Sequence, residues 1–456
     1  MRGWGPAARH SPGRVSEVTT TGHPAWCPTL RVHRDPRGPR GLRGTPRSLY
    51  TGAMDLLADA RALADDLADL RHRLHEQPEL GLVLPRTQST VLGALAGLDL
   101  EITTGTTSTS VVAVLRGGGG PDAPVVLLRG DMDALPVSEE VDVPFRSQVD
   151  GRMHACGHDL HTAMLVGAAR VLAARRSALA GDVVLMFQPG EEGYDGAGHM
   201  IAEGVLDAAG RRADAAFALH VMSNLTPRGS VVGRGGPIMA ASDGLFVTVR
   251  GRGGHGSSPH VAADPVPAAC EMVLALNTRM TRVVDAFAPA VLTVGTFHAG
   301  TQRNIIPATA TFEATIRTFD PAVREVVRQM CEEVCRGVAA AHGVAVDVRY
   351  SGEYPVTVND VAEADFALGV ADDVLGRGTA VRLPNPIAGS EDFSRVLAQV
   401  PGAMLFLGAL PPGRDVATAP SNHSPFAAFD DSVLPLGAGF YASLAARRLD
   451  QLAASR

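Results

Sequence analysis

Asp182-Val183-Val184-Leu185-Met186-Phe187-Gln188 is a short apolar run that stops at Pro189-Gly190-Glu191-Glu192. A run of this length, cut off by Pro-Gly, reads as a buried strand. Its end delivers two adjacent carboxylates. Upstream, Ala163 to about Arg175 reads as a helix and Val125–Leu128 as another strand, which runs into Arg129-Gly130-Asp131-Met132-Asp133-Ala134-Leu135-Pro136. Downstream, the apolar strand Ala215–Leu219 ends at His220. Strands alternating with helices predict an α/β sheet with parallel members. Ligands collect at the carboxyl ends of such strands. Asp131, Asp133, Glu191, Glu192 and His220 all fall there.

The flanking chain is consistent with this reading. Leu recurs at helical spacing from Met54 to about Leu74, and Pro78 stops the pattern. Ser110–Leu115 is a strand, joined to Val125–Leu128 by a turn at Gly117-Gly118-Gly119-Gly120-Pro121-Asp122. That glycine run has no Lys-Ser/Thr ending and no following helix, so it is not a phosphate loop. A second unit begins near Ala241. Its predicted order is strand Leu245–Val249, helix Pro267–Val284, strands Ala290–Phe297 and Thr309–Arg317, helix Ala322–Ala341 and strand Ala345–Tyr350. This βαββαβ order is that of a ferredoxin-like sandwich. The alternating pattern resumes at Tyr354 and ends in a long helix after Leu434, so a small domain inserted into a larger one is expected.

Length and charge bound the function. With 456 residues, the chain is long enough for two domains or three. No apolar run is long enough to span a bilayer, and no membrane association is expected. All 41 basic residues are Arg. Residues 1–53 carry a net charge of +7 and the remainder −14. An acidic body offers no footprint for nucleic acid. The Arg-, Pro- and Gly-rich stretch 1–53 is read as a disordered extension, with Met54 as the natural start. Five Cys (27, 156, 270, 331 and 335) at no disulfide or zinc-ribbon spacing suggest a reducing, cytoplasmic compartment.

The chemistry concentrates in Met153-His154-Ala155-Cys156-Gly157-His158-Asp159-Leu160-His161, which offers one thiol and three imidazoles. Thiolate, imidazole and carboxylate are the side chains that bind divalent transition metals. In an extended or looped backbone, Cys156 and His158 point the same way and face one metal pocket. Two other readings stand beside that one: Cys156 as a nucleophile with His158 as its base, or a buried thiol next to a solvated His. The neighbouring acids and His220 favour the metal reading. In Glu191-Glu192, one carboxylate would bind metal and the other would take the proton of a metal-activated water. His423 lies where the chain has returned to the main domain and could complete the ligand set. Arg317, at a strand end of the inserted unit, could grip a substrate carboxylate.

These residues, together with Phe187–Glu192, Ala218-Leu219-His220, Gly253-Gly254-His255, Asn304-Ile305-Ile306-Pro307, Thr315-Ile316-Arg317-Thr318, Gly389-Ser390-Glu391-Asp392-Phe393 and Asn422-His423, carry a pattern. Over roughly residues 54–450, the chain resembles the amidohydrolase branch of the M20 metallopeptidase family. That branch includes N-acyl-amino-acid amidohydrolases, hippurate hydrolases and auxin-conjugate hydrolases. The resemblance implies an α/β protein with a mixed-sheet, zinc-peptidase-like catalytic domain and an inserted ferredoxin-like α+β lid and dimerisation domain. The expected boundaries are 1–53 for the extension, 54–240 and 354–456 for the two parts of the catalytic domain, and 241–353 for the insertion.

The resemblance also implies a binuclear site for two divalent ions, manganese or zinc. Cys156 would be the thiolate shared between the metals, with His158, Glu192, His220 and His423 as the other ligands. Glu191 would be the general base, and Asp133 would orient a His ligand. His255, Asn304 and Arg317 would meet the substrate, and His255 reaches a neighbouring subunit's site in some relatives. The expected activity is hydrolysis of the amide in an N-acyl or aryl-acyl amino acid by a homodimer. A small-dipeptide peptidase of the same family and a non-catalytic binding homologue are the alternatives. The chain departs from the family at Leu82-Val83-Leu84-Pro85, where acidic residues are usual, and at Gly190, where Ala is commoner.

Overall fold

The structure is a computed structural model and describes residues 55–456. The expectations for 1–53 and for Met54 lie outside the described residues. One eight-stranded sheet is built in the spatial order Glu101–Thr104, Val111–Leu115, Asp182–Gln188, Val125–Asp131, Ala215–Met222, Gly402–Gly408, Val231–Gly233, Ala380–Arg382. The central four strands, Asp182–Gln188 to Gly402–Gly408, are mutually parallel, and antiparallel pairs flank them. The sheet is therefore mixed.

The central strands read as continuous apolar runs because both faces are covered. Val183, Leu185 and Phe187 enter the core shared with the helices His158–Ala173 and Leu434–Ala454, while Val184 and Met186 enter a second core on the opposite face. The expected helix from Met54 to Leu74 is, in its described part, two helices, Leu56–Arg61 and Ala64–Glu76. The break lets Leu56 and Ala60 join the same core as Leu67, Leu70 and Leu74. The helix expected from Ala163 begins five residues earlier, at His158. Gly157, at φ 88°, turns the chain there in a conformation that side chains rarely adopt.

The second sheet has the order Ala290–Ala299, Thr309–Thr318, Ala241–Arg250, Ala345–Tyr354, with every pair antiparallel. With the helices Pro265–Val283 and Pro321–His342 it forms a separate core. Both helices start where the sequence supplies Asp-Pro. The Asp264 carboxylate accepts from Val266 N, and that of Asp320 accepts from Ala322 N and Val323 N. Such caps satisfy otherwise orphaned donors, and Pro fits the first helical turn. The chain leaves the large sheet along Gly236–Met239 and returns along Thr357–Asn359, and these two segments pair with each other.

Close strand contact sets a testable limit. A Cβ on Gly402 would lie 2.0 Å from the Ala216 carbonyl oxygen of the neighbouring parallel strand, whereas one on Gly93, in the helix Pro85–Leu95, would meet nothing within 4 Å. Gly402→Ala should lower unfolding stability by about 2–4 kcal/mol, as overpacking against rigid backbone does. Gly93→Ala should be neutral or stabilising by up to about 1 kcal/mol. Denaturant titration of both variants checks the contrast.

Candidate metal centre and active site

The parallel strands end on one side of the large sheet, and the candidate residues gather there. Cys156 Sγ lies 3.3 Å from His220 Nε2 and 3.2 Å from His423 Nε2. His423 Nε2 is also 3.2 Å from Glu192 Oε1, which is 4.0 Å from His158 Nε2. Two donor groups therefore overlap at the thiol: Cys156 with His158 and His220, and Cys156 with Glu192 and His423. The atoms within each group lie within 4.8 Å of one another.

Local structure aims these donors. His220 sits inside the strand Ala215–Met222, and its Nδ1 donates to the Val221 carbonyl at 2.7 Å, leaving the Nε2 lone pair towards Cys156. His158 is the first residue of its helix, placed by the Gly157 turn. His423 takes φ 70°, an uncommon left-handed conformation for a residue with a side chain. It is held there by a hydrogen bond from its own N–H to the Ala155 carbonyl. The Asn422 amide ties the same loop to the carbonyls of Cys156 and Val221, at 3.0 Å each.

A layer of buried charge lies behind the donors. Asp133 accepts from the backbone N–H of Glu191 at 3.0 Å and of Glu192 at 3.1 Å, and its Oδ1 is 3.5 Å from His158 Nδ1. One carboxylate thus sets the position of both glutamates. Asp131 lies 2.6 Å from Arg129 Nη1 and 3.4 Å from His158 Nε2, and His161 Nδ1 donates to it. Burial opposes ionisation of Asp131, but Arg129, His158 and His161 hold its carboxyl well below the usual range. The Glu191 carboxyl is pushed well above its usual range, first by burial and then by Glu391, Glu192 and Asp392. Burial also raises Glu192, but the hydrogen bond with His423 and the charge of His158 outweigh it and leave it lowered. The two adjacent glutamates are pushed in opposite directions, which suits one to carry a proton and the other to stay ionised. His423 is raised to about 10 by its hydrogen bonds to Cys156 and Glu192.

Of the three imidazoles in the 153–161 stretch, only His158 reaches the centre. His161 is locked between Asp131 and the Val221 N–H, which donates to its Nε2 at 2.7 Å. His154 is buried within a separate cluster beside His75 and Asp159, and burial lowers its pKa to about 3. The Cys156–His158 pair also differs from the looped geometry expected, because His158 already belongs to a helix.

The centre opens into a cavity of about 770 Å³ between the two sheets. Cys156, Glu191, Glu192, His220, His423 and Arg317 all line it. His255 and Asn304 do not. They lie at the short pairing of Gly254-His255 with Ile305-Ile306, where His255 is opposite Ile305 and Gly256 N donates to the Asn304 carbonyl, and both are exposed. Several contributors had no role in the sequence reading. Arg129, Gln188, Glu391 and Asp392 form the buried network behind Glu191, and an Arg inside an apolar strand was the available signal. The Tyr354 hydroxyl donates to the Glu191 carbonyl at 2.7 Å, and that of Tyr441 donates to the Arg129 carbonyl at 2.7 Å. Nothing in the sequence marks either tyrosine.

The donor set fits divalent metal. One thiol, three imidazoles and a carboxylate converge, and both ring nitrogens of buried His158 lack a hydrogen-bond partner. Buried polar atoms are rarely left unsatisfied unless another group completes them. Fold and site together define a metal-dependent hydrolase.

Comparison with known proteins agrees. Residues 127–447 match peptidase family M20/M25/M40. The chain is 36% identical over 391 residues to thermostable carboxypeptidase 2 of Saccharolobus solfataricus, covering 85% of this chain and 96% of that protein. It is 36% identical over 419 residues to IAA-amino acid hydrolase ILR1-like 4 of Arabidopsis thaliana, covering 91% of this chain and 92% of that one. The Bacillus subtilis YXEP protein, described as a dinuclear metal binding peptidase from the M20 family, superposes with a TM-score of 0.73. It is 30% identical, over 86% of this chain and 99% of that one. The protein belongs to the M20/M25/M40 peptidase family and is a metal-dependent amide hydrolase of its amidohydrolase branch.

Because Cys156 belongs to both donor groups, Cys156→Ala should reduce bound metal measured by elemental analysis and leave the fold intact by circular dichroism. Full occupancy in that variant would rule out a bridging thiolate.

Proposed function

We propose that the enzyme cleaves the amide of N-acyl or aryl-acyl amino acids and releases a carboxylic acid and a free amino acid. The observation that carries this reading is the placement of Arg317 in the same cavity as Glu191 and the metal donors. A guanidinium suits a planar carboxylate, and the carboxylate of an amino acid lies next to the amide to be cut. Cys156, His158, Glu192, His220 and His423 would hold two divalent ions, zinc or manganese. Bound there, the ions would supply Lewis-acid polarisation of the carbonyl and acidify a water molecule. Glu191 would take the proton of the attacking water at its carboxylate and return it to the departing amine nitrogen. Asp133 keeps Glu191 and Glu192 in place through their N–H groups. The four-stranded unit, 241–353, would act as lid and dimerisation domain. Arg317 would descend from it onto the substrate and close out water. His255 and Asn304, outside this chain's own cavity, would meet substrate in a partner's site or after closure.

The similarity to a protein named carboxypeptidase favours a second reading on the same residues, hydrolysis of small dipeptides. Free thiols and the absence, among the described residues, of a helix long and apolar enough to cross a membrane suit a cytoplasmic enzyme.

Two measurements test the proposal. Glu191→Gln should keep its metal and lose at least about a hundredfold in turnover, the usual scale of a general base. Retained activity in that variant would remove Glu191 from the role. Amino-acid release from N-acetyl-methionine, hippurate, indoleacetyl-alanine and a dipeptide should stop on chelation and return with manganese or zinc. Release that ignores chelators but yields to thiol reagents would point instead to Cys156 as nucleophile.

A further inference from the structure

The cavity holds charge that the metal centre does not use. Glu391 is tied to Arg129, and Asp195 pairs with Arg395. Apart from the metal-centre residues, that leaves Arg317 and Glu353 as the charged groups lining it among the described residues. Arg317 spends one nitrogen, Nη1, on Ser242 Oγ at 2.8 Å and on the Ile316 carbonyl at 3.0 Å. Its Nε and Nη2 have no hydrogen-bond partner among the described residues. The hydroxyl that receives Arg317 donates in turn to Glu353 Oε2. One buried serine therefore sets a cation and an anion side by side, with Glu353 Oε1 lacking a hydrogen-bond partner among the described residues and the residue exposed to the cavity.

The backbone makes this placement deliberate. Gly352 pairs with Asp243 and Tyr354 with Ser242, so Glu353 is the extra residue of a β-bulge. Bulges re-aim side chains and recur beside active sites. Arg395 Nη2 anchors the bulge by donating to the Glu353 carbonyl at 2.9 Å.

We propose that Glu353 selects substrates whose amino-acid part carries a cationic side chain, such as lysine or ornithine, beside the carboxylate that Arg317 would hold. The inference rests on the amide-hydrolase reading above and extends it to the side chain of the released amino acid. A carboxylate at this point attracts a second positive charge and repels a second negative one, and specificity arises from both. A neutral side chain falls between them. If Glu353 only braced Arg317 through Ser242, its loss would weaken every carboxylate substrate alike.

The test uses the full-length, metal-loaded protein with N-acetyl-lysine, N-acetyl-ornithine, N-acetyl-leucine and N-acetyl-glutamate. kcat/KM is measured for each, and binding is measured in parallel by calorimetry. The wild type should favour lysine over glutamate by at least about fivefold, the scale of one charge contact in a solvated pocket. That ratio should fall to within about twofold of one in Glu353→Gln and invert in Glu353→Lys. A wild-type ratio near one, or an equal loss on all four substrates in Glu353→Gln, overturns the proposal. Binding that keeps the lysine preference without any turnover would refute the hydrolase reading and leave the role of Glu353 standing. Turnover without preference would do the reverse.

Discussion

The structure depends on one buried guanidinium. Arg129 sits in the middle of the central strand Val125–Asp131 and is 2% exposed. Its five donors meet Gln188, Asp131, Glu391 and Asp392. Removing such a charge from water costs several kcal/mol unless hydrogen-bonded counter-charges surround it. Here the counter-charges outnumber it, so the cluster carries negative excess next to Glu191 and behind His158. That excess suits a site meant for divalent cations. It also fixes geometry, because the partners come from strands and loops far apart in sequence and Arg129 holds their ends at one level.

Position is passed outward from this cluster in steps. Asp131 orients His161 and faces His158, while Asp133 holds the N–H groups of Glu191 and Glu192. Tyr354, the last residue of the inserted sheet, reaches the Glu191 carbonyl. The segment that ends the small unit thus touches the backbone of the residue proposed as base. The small unit and the placement of Glu191 therefore share a hydrogen bond at the point where the chain crosses between sheets.

Much of the fold was legible because local pattern and global packing agree. The run Asp182–Gln188 is a strand with the bounds read from sequence, since an apolar run cut by Pro-Gly has few alternatives. The Asp-Pro pairs at 264–265 and 320–321 start helices two residues and one residue before the expected positions, because the side-chain caps extend the hydrogen-bonded turn. His158 was read as part of a loop and is helical, because one left-handed glycine completes the turn in a single residue. The strand bearing His220 runs three residues further than the expected end at Leu219, because its pairing with Gly402–Gly408 continues to Met222.

The sequence by itself determined the residue types of the site and the strand ends that present them. Spacing and side-chain chemistry are local properties, so Cys156, His158, Glu191, Glu192 and His220 could be picked out before any contact was known. Only the tertiary structure decided which imidazoles face the centre, that Arg129 and two tyrosines brace it, and that Arg317 enters its cavity while His255 and Asn304 stay outside. It alone set Glu353 beside Arg317 through Ser242. Those relations join residues tens to hundreds of positions apart. They are fixed by strand register, by a bulge and by buried counter-charges, none of which leaves a periodic mark on the chain.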